Sequence, residues 1–122
     1  MDALLRTKLE IQQGADVEII LPPSAYSSNG QNVDWSGFTG KLQIREDANN
    51  TGTPLLELTT ANGGIVITGS QIKLVFTNLQ TAAFNFGSDY AAQYDIELVQ
   101  PGTNYVYKPY FGPVTMIPEI TR

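Results

Sequence analysis

Short runs of alternating apolar and polar residues fill most of this chain, and glycine, proline and asparagine separate them. The run FTGKLQIRE is the clearest example, because Leu42 and Ile44 fall on one side while Lys41, Gln43 and Arg45 fall on the other. Alternation with a period of two is typical of a strand with one buried face. Seven to nine such runs follow one another at spacings of about 8–12 residues, which predicts an antiparallel β-sandwich.

We therefore predict an all-β fold, namely a single antiparallel immunoglobulin-like β-sandwich of seven to nine strands over residues 1–122, with one short helical crossover. The helix is expected at 78–84, because Asn78 is a favoured N-cap residue and Leu79 and Ala82 have helical spacing. A jelly roll or a small barrel is the competing architecture. The inward positions of the three clearest strands predict a core of Leu42, Ile44, Ile72, Leu74, Phe76, Tyr94, Ile96 and Leu98.

The composition removes several classes of chemistry. There is no histidine and no cysteine, so Ser–His and Cys–His catalysis, disulfides and zinc–cysteine sites are all excluded. The net charge is −5 with only seven scattered Lys and Arg residues, which argues against nucleic acid as a partner. No apolar run is long enough for a signal peptide or a membrane span, so we expect cytoplasmic synthesis and no membrane insertion. We also expect no enzymatic activity, no cofactor and no metal.

Two groups of polar residues are candidate sites. The loop 45–52 offers carboxylate and amide oxygens, but it lacks the spacing of a calcium loop, so we interpret it as a polar hairpin loop. Asp95 and Glu97 lie two apart on one strand and therefore share a face. Glycoside hydrolysis uses such a pair but needs one carboxyl group desolvated in a cleft. We instead expect a solvated pair that faces Lys41 or Arg45 across the sheet.

Aromatic residues crowd the segment NYVYKPYF near the C-terminus. Tyrosine fills cores, stacks on sugars and anchors protein interfaces equally well. We assign Tyr94 and Phe111 to the core. Tyr105, Tyr107 and Tyr110 are our candidates for contact with a partner, with closure of the sandwich as the alternative for Tyr107 and Tyr110.

The first residues form a second candidate contact. Residues 1–13 alternate up to a glycine at position 14, so they form either an edge strand of their own domain or an arm that reaches a neighbouring subunit. Leu4 and Leu5 are the apolar residues that such an arm would present.

Five stretches carry a resemblance to a known family, in this order: LEIQQGADVEIIL, DWSGFTGKLQIRED, LLELTTANGGIVI, YDIELVQPG and GPVTMIPEITR. Together they resemble a group of small structural proteins of bacteriophages and prophages. The closing stretch is similar to the family pattern almost position by position. Trp35 departs from it, since a leucine is usual there, and so does the aromatic-rich NYVYKPYF.

This resemblance implies a virion protein that acts by docking to other virion proteins, in several copies of a symmetric assembly. The family is often encoded among tail genes, and it is loosely similar to the immunoglobulin-like modules that attach receptor-binding proteins to baseplates. A tail, baseplate or tail-fibre attachment component is therefore our first expectation. A capsid decoration protein is the alternative, and a module that binds host glycans is the second alternative.

Overall fold

A computed structural model describes residues 5–22, 27–28, 31–32, 34–45, 54–83 and 91–117. These residues form twelve strands and one helix. The strands are β1 (Leu5–Arg6), β2 (Leu9–Gln12), β3 (Val17–Ile20), β4 (Ser27–Ser28), β5 (Gln31–Asn32), β6 (Thr39–Arg45), β7 (Leu56–Thr59), β8 (Ile65–Thr68), β9 (Gln71–Phe76), β10 (Ala91–Val99), β11 (Val106–Tyr107) and β12 (Tyr110–Ile117). The helix α1 (Asn78–Ala82) connects β9 to β10.

Two sheets form the sandwich. The larger one has the order β1–β12–β10–β6–β7, with β2 also paired to β12 and β11 also paired to β10. The smaller one has the order β3–β9–β8, and β4 and β5 pair separately. Two sheets that share one buried core form a β-sandwich. The predicted all-β sandwich is confirmed.

The larger sheet is mixed, and here the antiparallel expectation was wrong. Both N-terminal strands run parallel to β12, with Leu5 opposite Tyr110 and Leu9 opposite Val114. Leu9 and Ile11 are buried in the core, because the alternation in β2 gives that strand an apolar face. The segment from Leu5 to Gln12 is therefore an edge strand of its own domain and does not reach outward. Leu4 lies outside the described residues.

The core matches the prediction from alternation. All eight residues expected there are buried, and none of them exposes more than 4% of its surface. Leu42 lies opposite Ile96 and Ile44 opposite Tyr94, so the inner face of the larger sheet is continuous from β6 to β10. Buried side chains from both sheets join in one cluster. Because apolar area removed from water drives folding, this shared cluster holds the two sheets together.

Strand β12 passes through Gly112 and Pro113 without a break. The N-terminal partner is interrupted at this point, since β1 pairs with residues 110–111 and β2 with residues 114–117. A Cβ atom on Gly112 would overlap the carbonyl oxygen of Thr7. Glycine therefore lets the N-terminal strand cross close to β12, and proline is tolerated where the parallel ladder is already broken.

The helix is present, but its cap and its buried face differ from the prediction. Thr77 is the N-cap, and its side chain and that of Gln80 form a capping box with each other's backbone N–H groups. Leu79 was expected on the apolar face and is 80% exposed. Thr81 is buried instead, because its hydroxyl donates to the carbonyl oxygen of Ala15 at 2.8 Å and so ties the helix to the β2–β3 turn.

Candidate functional site

The turn between β10 and β11 is fixed by its own hydrogen bonds. The Gln100 N–H donates to the carbonyl oxygen of Tyr105 at 2.9 Å, and the Asn104 N–H donates to that of Gln100 at 3.1 Å. Gly102 and Asn104 both adopt positive φ angles, which glycine and asparagine tolerate best. The Thr103 hydroxyl also donates to the Gln100 side chain at 2.9 Å. This network holds Tyr105 at the tip of a defined turn.

An aromatic cluster packs against that turn. The rings of Tyr105 and Tyr107 have centroids 4.7 Å apart. Tyr107 packs edge-on against Trp35 at 5.5 Å, and Trp35 packs edge-on against Phe38 at 5.1 Å. Trp35 is fully buried, whereas 56% of Tyr105 is exposed, so the cluster runs from the core to the surface. Such ring pairs contribute about 0.5–1.5 kcal/mol each beyond their buried area. We call Trp35, Phe38, Tyr105 and Tyr107 the aromatic end.

The segment 34–38 brings Trp35 into this cluster. The Trp35 backbone N–H donates to the carbonyl oxygen of Gly69 at 2.9 Å, which joins the segment to the β8–β9 turn. Asp34 accepts a hydrogen bond from the Ser36 N–H at 2.9 Å. Hydrogen bonds from the Ser36 side chain and backbone hold the pKa of the Asp34 carboxyl below its ordinary value. Three turns, at 34–38, 69–70 and 100–105, therefore meet at the aromatic end.

The structure separates the predicted contact tyrosines. Tyr105 is exposed and Tyr107 is half-buried beside it, so these two do lie together at one surface. Tyr110 does not, and its assignment to a contact surface was wrong, since it is 1% exposed. Its hydroxyl donates to the carbonyl oxygen of Pro22 at 2.5 Å and so links β12 to the chain after β3.

Phe111 was expected in the core, but 36% of its surface is exposed. The reason is the short break at Lys108 and Pro109, after which Tyr110 faces inward and its neighbour faces outward. Of the two N-terminal candidates, Leu5 pairs through its backbone with β12, and Leu4 lies outside the described residues. The N-terminal pair therefore adds no contact residue to the aromatic end.

Asp95 and Glu97 share the outer face of β10, as predicted, but their ionic partner was not anticipated. Lys108 Nζ lies 3.6 Å from a carboxylate oxygen of Asp95 and 3.5 Å from one of Glu97. Their side chains are 50% and 39% exposed. Lys41 is only the cross-strand neighbour of Glu97. Both carboxylates are therefore solvated and share one ammonium group, an arrangement that lacks the desolvated acid of a hydrolase.

Val106 is the surface residue that sequence reasoning missed. It follows Tyr105 directly, and 47% of its surface is exposed. The only sequence signal for it is its position shortly after Pro101 and Gly102, a pair typical of turns, because alternation alone does not distinguish it from any other outward residue of a strand. Tyr105 and Val106 together give the aromatic end an exposed apolar tip. Of the predicted polar loop 45–52, Arg45 ends β6, and residues 46–52 lie outside the described residues.

Comparison of the sequence with models of known protein families and with curated proteins gave no match. The resemblance to phage structural proteins therefore stays a prediction. Within the part of the chain that the structure describes, no helix is long and apolar enough to cross a membrane. In the same residues, no group of three or more Asp and Glu residues is placed to hold a metal ion.

Proposed function

We propose that this domain is a docking module without catalytic activity, which binds another protein through Tyr105 and Val106. The observation that carries the proposal is an exposed aromatic and aliphatic pair on a turn that is rigid by its own hydrogen bonds. Binding hot spots are enriched in tyrosine, and an ordered side chain loses less entropy when it binds. Exposed apolar groups on a fixed turn therefore favour a protein interface.

The position of the turn supports the same function. The β10–β11 turn and the segment between β3 and β6 correspond to the F–G and B–C loops of a variable-type sandwich. In antibody variable domains these two loops lie at one end and contribute to antigen binding. By this analogy of fold, the aromatic end is a favourable place for a contact with a partner.

For the setting, we propose a bacteriophage particle, with this protein as a tail, baseplate or tail-fibre attachment component. The support is the sequence resemblance described above, together with the chain's net charge of −5. That negative charge disfavours contact with nucleic acid, so the module would contact other virion proteins. A place on the capsid surface is the alternative setting. In either setting, shape and aromatic packing provide the specificity of binding.

The test compares two apolar surface sites in particles made from a genome that carries the variant gene. The double variant Tyr105→Ala, Val106→Ser removes the exposed tip. The control Leu79→Ser removes a residue that is 80% exposed on α1, which follows the other end of β9. We expect both purified domains to remain folded. The control should lose about 0.5 kcal/mol of stability or less, and the double variant about 0.5–1.5 kcal/mol, because it removes the ring contact between Tyr105 and Tyr107.

The number of copies per particle, measured by quantitative mass spectrometry, separates the outcomes. We expect at least a tenfold loss for the double variant and none for the control. Equal incorporation of wild type and double variant would contradict docking through the aromatic end. Absence of the wild-type protein from purified particles would contradict the virion setting. Cryo-EM density for the domain on the tail or on the head decides between the two settings.

A further inference from the structure

A groove of about 380 Å³ crosses the outer face of the larger sheet. Gln43, Asp95, Glu97, Lys108 and Phe111 contribute to its wall. Its volume lies within the range of small-molecule sites, about 300–1,000 Å³. We infer that this groove binds a short, neutral saccharide. The proposal is independent of docking through the aromatic end.

The first argument is the row of side chains along the groove. Phe111 lies opposite Asp95, Asp95 lies opposite Gln43, and Gln43 lies opposite Glu57. Cross-strand partners point to the same face of a sheet, so these four side chains form a line across four strands. Phe111, Asp95 and Gln43 are the members of this row that line the groove. Neighbouring strands lie about 4.8 Å apart, so these three side chains span about 10 Å, the length of a disaccharide.

The second argument is the chemistry of this row. A sugar ring presents hydroxyl groups around its rim and C–H groups on its faces. Carboxylates accept hydrogen bonds from hydroxyls, and amides both donate and accept them, so Asp95 and Gln43 suit the rim. Phe111 offers an aromatic surface for a ring face at the end of the row, and 36% of it is exposed. The row therefore provides both kinds of contact within one groove.

The third argument is that the polar groups are already oriented. The Arg45 guanidinium donates to Gln43 Oε1 at 2.9 Å, and Gln43 Nε2 donates to Glu57 Oε2 at 2.5 Å. These two bonds orient the Gln43 amide, with its oxygen toward Arg45 and its nitrogen toward Glu57. Lys108 similarly holds Asp95 and Glu97 together. Binding a ligand then immobilises few additional side chains, which lowers the entropic cost of association.

The fourth argument concerns ligand charge. The groove is lined by two acidic groups, Asp95 and Glu97, and by two basic groups, Arg45 and Lys108. These charges offset each other, so the lining gives no net attraction to an anion or a cation. A neutral ligand with many hydroxyls makes use of the donors and acceptors without disturbing the ion pairs. This distinguishes neutral sugars from uronic acids and other charged saccharides.

The experiment uses ¹H–¹⁵N NMR titration of the full chain with millimolar maltotriose, cellotriose, mannotriose, chitotriose and trigalacturonate. We expect at least one of the four neutral trisaccharides to shift amide signals of β6, β10 and β12. We also expect trigalacturonate to bind more weakly than that sugar. The variants Gln43→Leu and Phe111→Ala should each weaken binding about tenfold, through loss of a hydrogen-bonding pair and of the ring platform.

Two controls match these variants on surfaces outside the groove. Gln71→Leu removes an exposed glutamine from β9 in the other sheet, and Leu79→Ala removes the exposed apolar residue of α1. Neither should change the affinity. The inference is overturned if none of the neutral trisaccharides shifts the groove signals, or if the shifts occur only at the aromatic end. It is also overturned if trigalacturonate binds more tightly than the neutral sugars.

Discussion

Replacing Gly112 with alanine tests the crossing of the N-terminal strand over β12. The added Cβ would overlap the carbonyl oxygen of Thr7 and lie 3.0 Å from its carbonyl carbon. Both are backbone atoms, so no side-chain rotation relieves the overlap. The chain around Thr7 must therefore move away from β12.

The loss in the free energy of unfolding follows from the hydrogen bonds that this movement breaks. The Thr7 N–H donates to the carbonyl oxygen of Phe111 at 2.8 Å. The Tyr94 hydroxyl donates to the carbonyl oxygen of Thr7, also at 2.8 Å. Burial raises the pKa of Tyr94, so its hydroxyl stays protonated and needs an acceptor. Losing two such bonds and leaving a buried hydroxyl without its acceptor costs about 2–5 kcal/mol.

Urea unfolding of Gly112→Ala gives the measurement, and Gly102→Ala is its matched control. Gly102 also has a positive φ, of 86°, but its added Cβ would meet nothing within 4 Å. The control therefore reports backbone strain alone, about 1–2 kcal/mol. Hydrogen exchange at the Thr7 amide should accelerate only in Gly112→Ala. If both variants lose the same stability, the close crossing does not constrain this strand and the reasoning is wrong.

Three further predictions concern other parts of the fold. Tyr110→Ala should lower the free energy of unfolding by about 3–5 kcal/mol in urea titrations, because Tyr110 is buried. Tyr105→Ala should lower it by only about 0.5–1.5 kcal/mol, because this exposed residue loses one ring contact, with Tyr107; equal losses would contradict this. Asp34 has a lowered pKa, so its contribution to stability should be present above the carboxyl's ordinary pKa and fall as the pH drops through the lowered pKa. Asp34→Asn should show less of this acid-dependent loss in pH-dependent melting, and identical profiles would refute it. Thr77→Ala should cost about 0.5–2 kcal/mol by removal of the capping box, whereas Asn78→Ala should cost less, which calorimetry can compare.

The faces of the longer strands could be predicted from the sequence because each of them alternates without a break. Leu42 and Ile44 in β6, and Leu74 and Phe76 in β9, follow a period of two from end to end. One side of such a strand must be buried, so the sequence alone assigns its register to the core. The exposed Tyr105 could also be predicted, since it lies three residues after Gly102 of a Pro-Gly turn signal.

Prediction failed where a break resets the alternation or where a distant partner decides the outcome. After Pro109, nothing in the local sequence indicates whether Tyr110 or Phe111 faces inward. The prediction placed Phe111 in the core and Tyr110 at the surface, whereas Tyr110 is buried and Phe111 is exposed. Likewise, alternation in β2 indicates a strand but does not identify its partner, so the parallel pairing with β12 could not be foreseen. In α1 the buried position belongs to Thr81, because a hydrogen bond to Ala15 outweighed the apolar spacing that favoured Leu79.

The parallel pairing of the first and last strands determines how the domain would respond to a pulling force. Within the described residues, the pairing of this sheet begins at Leu5 and ends at Ile117, and β1 and β2 run in the same direction as β12. Tension on the two ends of the chain therefore slides these strands past each other lengthwise. In this shear geometry the hydrogen bonds along the seam carry the load together, whereas an antiparallel hairpin pulled at its open end would lose them one at a time. A domain anchored at both ends should accordingly withstand more force along the chain than its modest size suggests.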